Sequence, residues 1–350
     1  MGKPKQKQTK QSPLEAVLAA VQKGYGKDAA LRLGAGARST VSEVIPFGIG
    51  AVDQYVCGCG GLPVGRLTEL FSEEGGGKSS LTLAALAQTQ REGGMALLVE
   101  SEHGLDPDRA KVLGVNANQL GLLQPDHMDE ALEQMEMALN NVPSNVGPNL
   151  LAWDSIAATP TKGEFVDGIE GEAAIGERAR ALAKACRVLI PLAEKKRTAL
   201  LFVNQTREKV GIVFGDKTTT PGGKAVKFHA SLRIQLFGGK SIKDGVQHTG
   251  KIITVVAVKT RFSPPYRKVR LRLDYATGFN DDWTTLNHAK TLSVVPKSIK
   301  GAEAQQAALK RAREHFEDFG WNIGGKNTDE DQLADAKDRL SGDFDEDGDE

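Results

Sequence analysis

The chain has 350 residues, its 45 Lys and Arg are balanced by 45 Asp and Glu, and 40% of it is hydrophobic. This suits one large globular domain of about 200 to 250 residues with smaller appendages, and a neutral total points to no class of partner. No apolar run reaches the roughly 18 residues of a membrane helix, no apolar signal core opens the chain, and three cysteines make no disulfide framework, so a cytosolic protein with unpaired thiols is expected.

The opening MGKPKQKQTKQ is basic and polar. PLEAVLAAVQKGYG (13–26) then reads as a short amphipathic helix with Leu14, Val17, Leu18 and Val21 on one face. It stands alone ahead of the main domain, a position suited to docking onto something else. From about residue 41 to 236, strand-like and helix-like segments alternate. RLTELF (66–71) alternates like a buried strand and precedes a helix, MALLVES (95–101) a helix opened by Asp106-Pro107, and LGLLQP (120–125) the helical HMDEALEQMEMALNN (127–141). NLLAWDS (149–155), a helix, and TALLFVNQ (198–205) follow. Strands separated by helices predict a mainly parallel sheet covered on both faces. SLRIQLF, GKIITVVAV and KVRLRLDY then follow one another without helices and predict antiparallel strands extending that sheet. A small α-rich end, about 283–325, precedes a disordered acidic tail ending DFDEDGDE. The basic start and acidic end read either as a device for handling a polyanion or as two solubilising tails.

FSEEGGGKSS (71–80) carries the strongest chemical signal. In the pattern G-x-x-x-x-G-K-[ST], backbone N–H groups wrap a phosphate, the lysine reaches its outer oxygens and the hydroxyl ligates magnesium. Gly77, Lys78 and Ser79 supply the second half, while Ser72 stands where the first glycine belongs. The flanking strand and the helical LTLAALAQTQ set the loop at a helix N-terminus, where the dipole favours an anion.

Active sites in such sheets lie at the carboxyl ends of strands. In VESEHGLDP, Glu102 reads either as a base for a water attacking the γ-phosphate or as part of an acidic capping segment. Asp154 in LLAWDS fits a magnesium-side aspartate, and Asn204 and Gln205 in FVNQ offer amides to a terminal phosphate. Two glycine-bearing loops leave these strand ends. Segment 206–224 holds Arg207, Lys209, Phe214, Gly222, Gly223 and Lys224; segment 161–176 holds Lys162 and Phe165 and precedes a helix with Arg178. Each alone reads as a mobile surface loop. Together, beside an ATP site, basic residues interleaved with an aromatic suit a single strand of nucleic acid.

In order along the chain, LRLG, GGLPVGR, the phosphate loop, ESEHGLDP, QPD, WDSIAA, EGE, VNQTREKVGIVFG, TTTPGGKAVKF and VKTRFSPP resemble the bacterial-type RecA recombinases, including those carried by bacteriophages. The similarity covers about residues 13–279. It implies an α/β fold, a RecA-like phosphate-loop ATPase core with a mainly parallel central sheet extended by antiparallel strands, a short N-terminal helix and a small C-terminal region. The expected division is 1–40, a basic segment and oligomerisation helix; 41–280, the ATPase core; 281–328, the small region; and 329–350, the acidic tail. ATP and Mg2+ are the implied ligands, held by Glu74, Gly75, Gly76, Gly77, Lys78, Ser79, Ser80, Asp106, Arg109 and Asp154, with Ser79 and Asp154 on the metal. Glu102 resembles the catalytic base, Gln205 the sensor that informs the DNA loop, and Lys259 and Arg261 basic residues that touch a neighbour's ATP. The implied partners are single- and double-stranded DNA and further copies of the chain in a helical filament, with no membrane. Arg109 departs from an adenine-stacking tyrosine, and Val213 and Pro221 from the usual loop sequence. The rival readings are a hexameric helicase, for which about 40 residues before the core leave little room, and an ATP-binding recombination mediator, which has no use for a base at Glu102. A repair ATPase with a zinc finger lacks its four-cysteine site here.

Overall fold

A computed structural model describes residues 12–32, 41–143, 145–168, 176–208 and 218–318. They fall into two units, one within residues 1–42 and one within 43–350. In the first, helix α1 (Pro13–Tyr25) starts at a capping box: the Ser12 hydroxyl accepts from the Glu15 N–H, and the Glu15 carboxylate from the Ser12 N–H. Leu14, Val17 and Val21 are exposed on it.

In the second unit, β1 (Val44–Ile45) and β2 (Leu62–Pro63) form a small antiparallel ribbon. β3 (Leu67–Ser72) leads into α2 (Lys78–Arg91), β4 (Ala96–Glu100) into α3 (Pro107–Val112), and β5 (Leu120–Leu123) into α4 (Met128–Asn141). β6 (Asn149–Asp154), α5 (Lys162–Asp167), α6 (Glu177–Lys195) and β7 (Thr198–Gln205) follow. A ribbon of β8 (Arg207–Glu208) and β9 (Thr218–Thr219) precedes α7 (Ala225–His229). β10 (Leu232–Asp244), β11 (Gln247–Thr260), β12 (Lys268–Asp274) and β13 (Gly278–Phe279) then run into α8 (Asp281–Thr291) and α9 (Ala302–Asp318).

Among the described residues the main sheet has nine strands in the order β13-β12-β11-β10-β3-β7-β6-β4-β5. Joints from β10 through β5 are parallel, and those from β10 out to β13 antiparallel. This is the expected mainly parallel α/β sheet with an antiparallel extension. Successive residues point to opposite faces. Leu150, Ala152, Ala199 and Leu201 join Leu81 and Leu86 of α2, whereas Leu151, Trp153, Leu200 and Phe202 join Met135 of α4 and Leu189 of α6. Both faces are therefore covered.

Three local differences from the sequence reading bear on the site. β3 is buried along its whole length rather than alternately, Glu69 included, because the Arg233 guanidinium pairs with that carboxylate. Within the 161–176 loop, residues 162–167 form a helix, since Thr161 and Glu164 make a second capping box. β10 and β11 extend past the apolar runs into polar sequence, where pairing continues to Asp244 and Gln247 through irregular registers.

Candidate functional site

The parallel strands β3, β7, β6 and β4 lie side by side and bring the polar residues that end them to one edge of the sheet. Register sets the neighbours: Ser72 lies opposite Gln205, and Glu100 opposite Asp154.

Between β3 and α2 the backbone turns at Gly75 (φ 69°) and Gly77 (φ 95°), values that a side chain disfavours. Gly77 is the N-cap of α2 and offers no side-chain cap, so the first N–H groups and the positive end of the dipole face the loop. Glu74 and Gly75 are exposed at the crest, Gly76 is buried, and Gly77 and Ser80 are half-buried. Lys251 of β11 reaches over and donates to the Gly75 carbonyl at 2.5 Å. Lys78 is only 7% exposed. Its Nζ donates to the Glu73 carbonyl (2.8 Å), the Ser72 Oγ (3.1 Å) and the Ser72 carbonyl (3.3 Å). Burial lowers its pKa, while Asp154, Glu102 and Glu74 pull the other way.

Asp154 closes β6 in a buried position, where burial drives its pKa up to about 6 against an opposing hydrogen bond from Ser79; Glu102 raises it further and Lys78 lowers it. Its Oδ1 finds no hydrogen-bond partner among the described residues. The Ser79 hydroxyl and this orphaned carboxylate oxygen are hard donors suited to Mg2+, which takes one or two protein ligands and fills the rest with water and phosphate oxygens. No cluster of three His, Cys, Asp or Glu suited to a metal occurs among the described residues.

Glu102 is exposed. Its Oε1 accepts from both the Ser155 hydroxyl (2.6 Å) and the Gln205 amide (3.2 Å). The Gln205 N–H donates to Asn204 Oδ1 at 3.0 Å, and Asn204 Nδ2 donates to Glu69 (3.1 Å) and to the Pro221 carbonyl (3.0 Å). A chain of hydrogen bonds thus runs from Glu102 to the turn that contains Gly222, Gly223 and Lys224. Gly222 (φ 91°) is buried, and a Cβ there would meet Leu182 at 2.5 Å.

On the other side of the loop, Arg109 donates to the Tyr275 carbonyl at 2.9 Å, with its guanidinium 5.9 Å from the centre of the Tyr275 ring. The carboxylate of Asp106 caps α3, accepting from the Asp108 N–H at 2.9 Å. Lys162 and Phe165 are exposed on α5, the Phe165 ring 5.5 Å from that of His127. Arg178 is bonded within the chain, to the Ile156 carbonyl (2.5 Å) and Glu164 (3.1 Å). Arg207 is described only as backbone of β8, and Lys209 and Phe214 lie outside the described residues.

Lys259 and Arg261 stand apart from this group. Lys259 donates to the Lys227 and Phe228 carbonyls at the end of α7 (2.8 and 3.0 Å), and Arg261 is exposed. Eight residues of β11 separate Lys259 from Lys251, roughly 25 Å of strand.

The structure also brings in residues that the sequence reading did not single out. Glu100, 5% exposed, ends β4 beside Asp154; as the last apolar-run acid of MALLVES it was open to notice. Ser155, Lys251, Tyr275 and the Glu69–Arg233 pair carry no such signal, because their partners are 53 to 176 residues away.

A family model, the RecA N-terminal domain, matches residues 12–280. The chain is 37% identical over 290 residues to Protein RecA of Francisella philomiragia subsp. philomiragia, covering 83% of this chain and 79% of that one. The same identity and coverage hold for Protein RecA of Francisella tularensis subsp. novicida and of Francisella tularensis subsp. tularensis. With a match this long, over the residues that build the sheet and its loop, the chain belongs to the RecA family of recombinases.

Proposed function

We propose that this RecA-family recombinase binds ATP with Mg2+ at the β3–α2 loop, hydrolyses it with Glu102 as base, and assembles as a helical filament on single-stranded DNA to pair it with homologous duplex. The observation that carries the reading is the Glu102 Oε1 shared by Ser155 and Gln205. It ties the base to the sensor and, through Asn204 and Pro221, to a DNA-facing segment.

Each group has a task. Loop N–H groups from Gly75 to Gly77, the N-terminus of α2 and Lys78 hold the phosphates, Glu74 and Ser80 flank them, and Arg109 with the Tyr275 ring takes the base. Ser79 and Asp154 hold Mg2+, which when bound neutralises phosphate charge. Glu102 orients and deprotonates the attacking water, and Gln205 exchanges its bond to Glu102 for the terminal phosphate. Segments 161–180 and 206–224 face DNA. Lys259 and Arg261 serve the ATP of a neighbouring protomer; their position eight or more residues beyond Lys251 of β11, which bonds the loop, supports this. The exposed apolar face of α1 docks on the adjacent protomer. We keep the division into 1–40, 41–280, 281–328 and 329–350, and a cytosolic location; among the described residues no helix is long and apolar enough to cross a membrane.

Glu102→Gln tests the chemistry. It should still bind ATP, while turnover on saturating single-stranded DNA falls by about 10²-fold or more. Equal turnover would remove Glu102 from the mechanism. Negative-stain images with an ATP analogue and DNA should show helical filaments; closed rings would favour the helicase.

A further inference from the structure

Ser72, which breaks the phosphate-loop pattern, has a counterpart four residues on. Its side chain is 1% exposed, donates to the Glu73 carbonyl at 2.6 Å and accepts from Lys78 Nζ at 3.1 Å. A Cβ built on Gly76 would lie 2.1 Å from Ser72 Oγ and 2.7 Å from Ser72 Cβ, closer than non-bonded atoms pack. Gly76 is absent from the positive-φ glycines, so its backbone does not itself call for glycine. The space it leaves open is the space that Ser72 fills. An ammonium has three N–H donors. Lys78 directs its donors to three acceptors, the Ser72 carbonyl, the Ser72 hydroxyl and the Glu73 carbonyl. A phosphate that engages Lys78 must displace at least one of these.

We infer that Ser72 is a positioning residue for Lys78: its hydroxyl holds the ammonium when no nucleotide is bound and competes with phosphate for it, and its side chain is the reason that position 76 is glycine. The inference rests on the proposal that ATP binds this loop. It links Ser72, which departs from the usual loop, to Gly76, whose missing side chain leaves room for it.

The test is a double-mutant cycle in the full-length protein, read by equilibrium titration with a fluorescent ATP analogue and Mg2+, and by thermal melting without nucleotide. Ser72→Ala and Ser72→Gly should each bind the analogue about 3- to 10-fold tighter, since each releases one charged-donor hydrogen bond. Gly76→Ala should bind about 10-fold weaker or worse, because the added methyl overpacks the loop. Ser72→Gly/Gly76→Ala should recover to within about 2-fold of wild type, whereas Ser72→Ala/Gly76→Ala should stay weak because the Cβ at 72 persists. Wild-type affinity in Gly76→Ala, equal recovery by both double variants, or no tightening in Ser72→Ala would overturn the inference. If Gly76→Ala does not fold, recovery of a cooperative melt in Ser72→Gly/Gly76→Ala, and not in Ser72→Ala/Gly76→Ala, reads the same pairing. A wild-type protein that ignores the analogue would instead overturn the ATP reading, while the melts still judge the pairing of 72 with 76.

Discussion

Replacing Asp154 with Asn should stabilise the nucleotide-free protein near neutral pH while removing its magnesium-dependent hold on ATP. The carboxylate is 9% exposed, and burial raises its pKa from 3.8 to about 6 even though Ser79 and Lys78 favour the charged form. At about 1.4 kcal/mol per pH unit, that rise of roughly two units corresponds to about 3 kcal/mol of destabilisation once the group is ionised in both folded and unfolded chains. Because the folded pKa is the higher one, the folded chain keeps a proton between 3.8 and about 6 that the unfolded chain has released. The stabilising contribution is therefore full below that window and is lost as the pH rises through it. Asparagine has no proton to lose.

Urea denaturation without nucleotide, at about pH 4, 6 and 8, reads the difference between variant and wild type. It should be near zero at the lowest pH, grow through the middle and level off at up to about 3 kcal/mol at the highest. In the same variant, magnesium should no longer strengthen binding of an ATP analogue. A variant less stable than wild type at about pH 8, or a difference that ignores pH, would refute the idea that a desolvated charge at Asp154 is held in reserve for a cation.

Three further outcomes are expected. Lys259→Ala or Arg261→Ala should leave the fold intact but lower DNA-stimulated hydrolysis, and mixing either with Lys78→Ala should partly restore it, since the defects lie on opposite sides of one interface; no rescue at any ratio counts against the shared site. Phe214→Ala should weaken single-strand binding by about 1 to 3 kcal/mol where the ring stacks on a base; unchanged affinity together with unchanged strand exchange would dismiss that role. Deleting residues 329–350 should strengthen duplex binding, steepen its salt dependence and lower the magnesium needed for exchange, because the acidic sequence there competes with DNA for basic surface; superimposable curves across salt and magnesium would leave it a solubilising end.

The parallel half of the fold was legible because each strand is an apolar run closed by polar residues. TALLFVNQ, for instance, coincides with β7 (Thr198–Gln205). The helix over 162–167 was missed although T-x-x-E announces a capping box, because no apolar stripe follows it. The burial of Glu69 could not be read from RLTELF. A charge in a strand reads as a solvent-facing position, and only Arg233, 164 residues later, makes its burial tolerable. The site divides the same way: Lys78, Glu102, Asp154 and Gln205 stand at strand ends or in the loops just beyond them and can be found by that rule, whereas Lys251 and Tyr275 come from the antiparallel extension and are joined to the loop and to Arg109 only by tertiary packing.

That extension changes what nucleotide binding can move. The residues of β3 and β6, and those of β7 up to Asn204, are buried throughout, packed on both faces and paired on both edges, so they have no room to shift when a ligand arrives. What can respond is the set of polar contacts at their ends. On the proposed reading, a magnesium nucleotide takes over the contacts of Lys78, turned onto its own loop, of Asp154 Oδ1, without a hydrogen bond among the described residues, and of the Glu102–Gln205 pair. Of these, the buried Asp154 carboxylate raises the energy of the folded state once ionised, whereas Lys78 and Glu102 are hydrogen-bonded within the chain. Gln205 follows Asn204, whose amide reaches Pro221 in the segment proposed to face DNA. If Gln205 turns from Glu102 to a phosphate, the rigid strand behind it cannot absorb the motion, and the segment ahead of it must. A stiff sheet with exchangeable polar contacts at its ends is therefore suited to convert the presence of one phosphate into the arrangement of a loop.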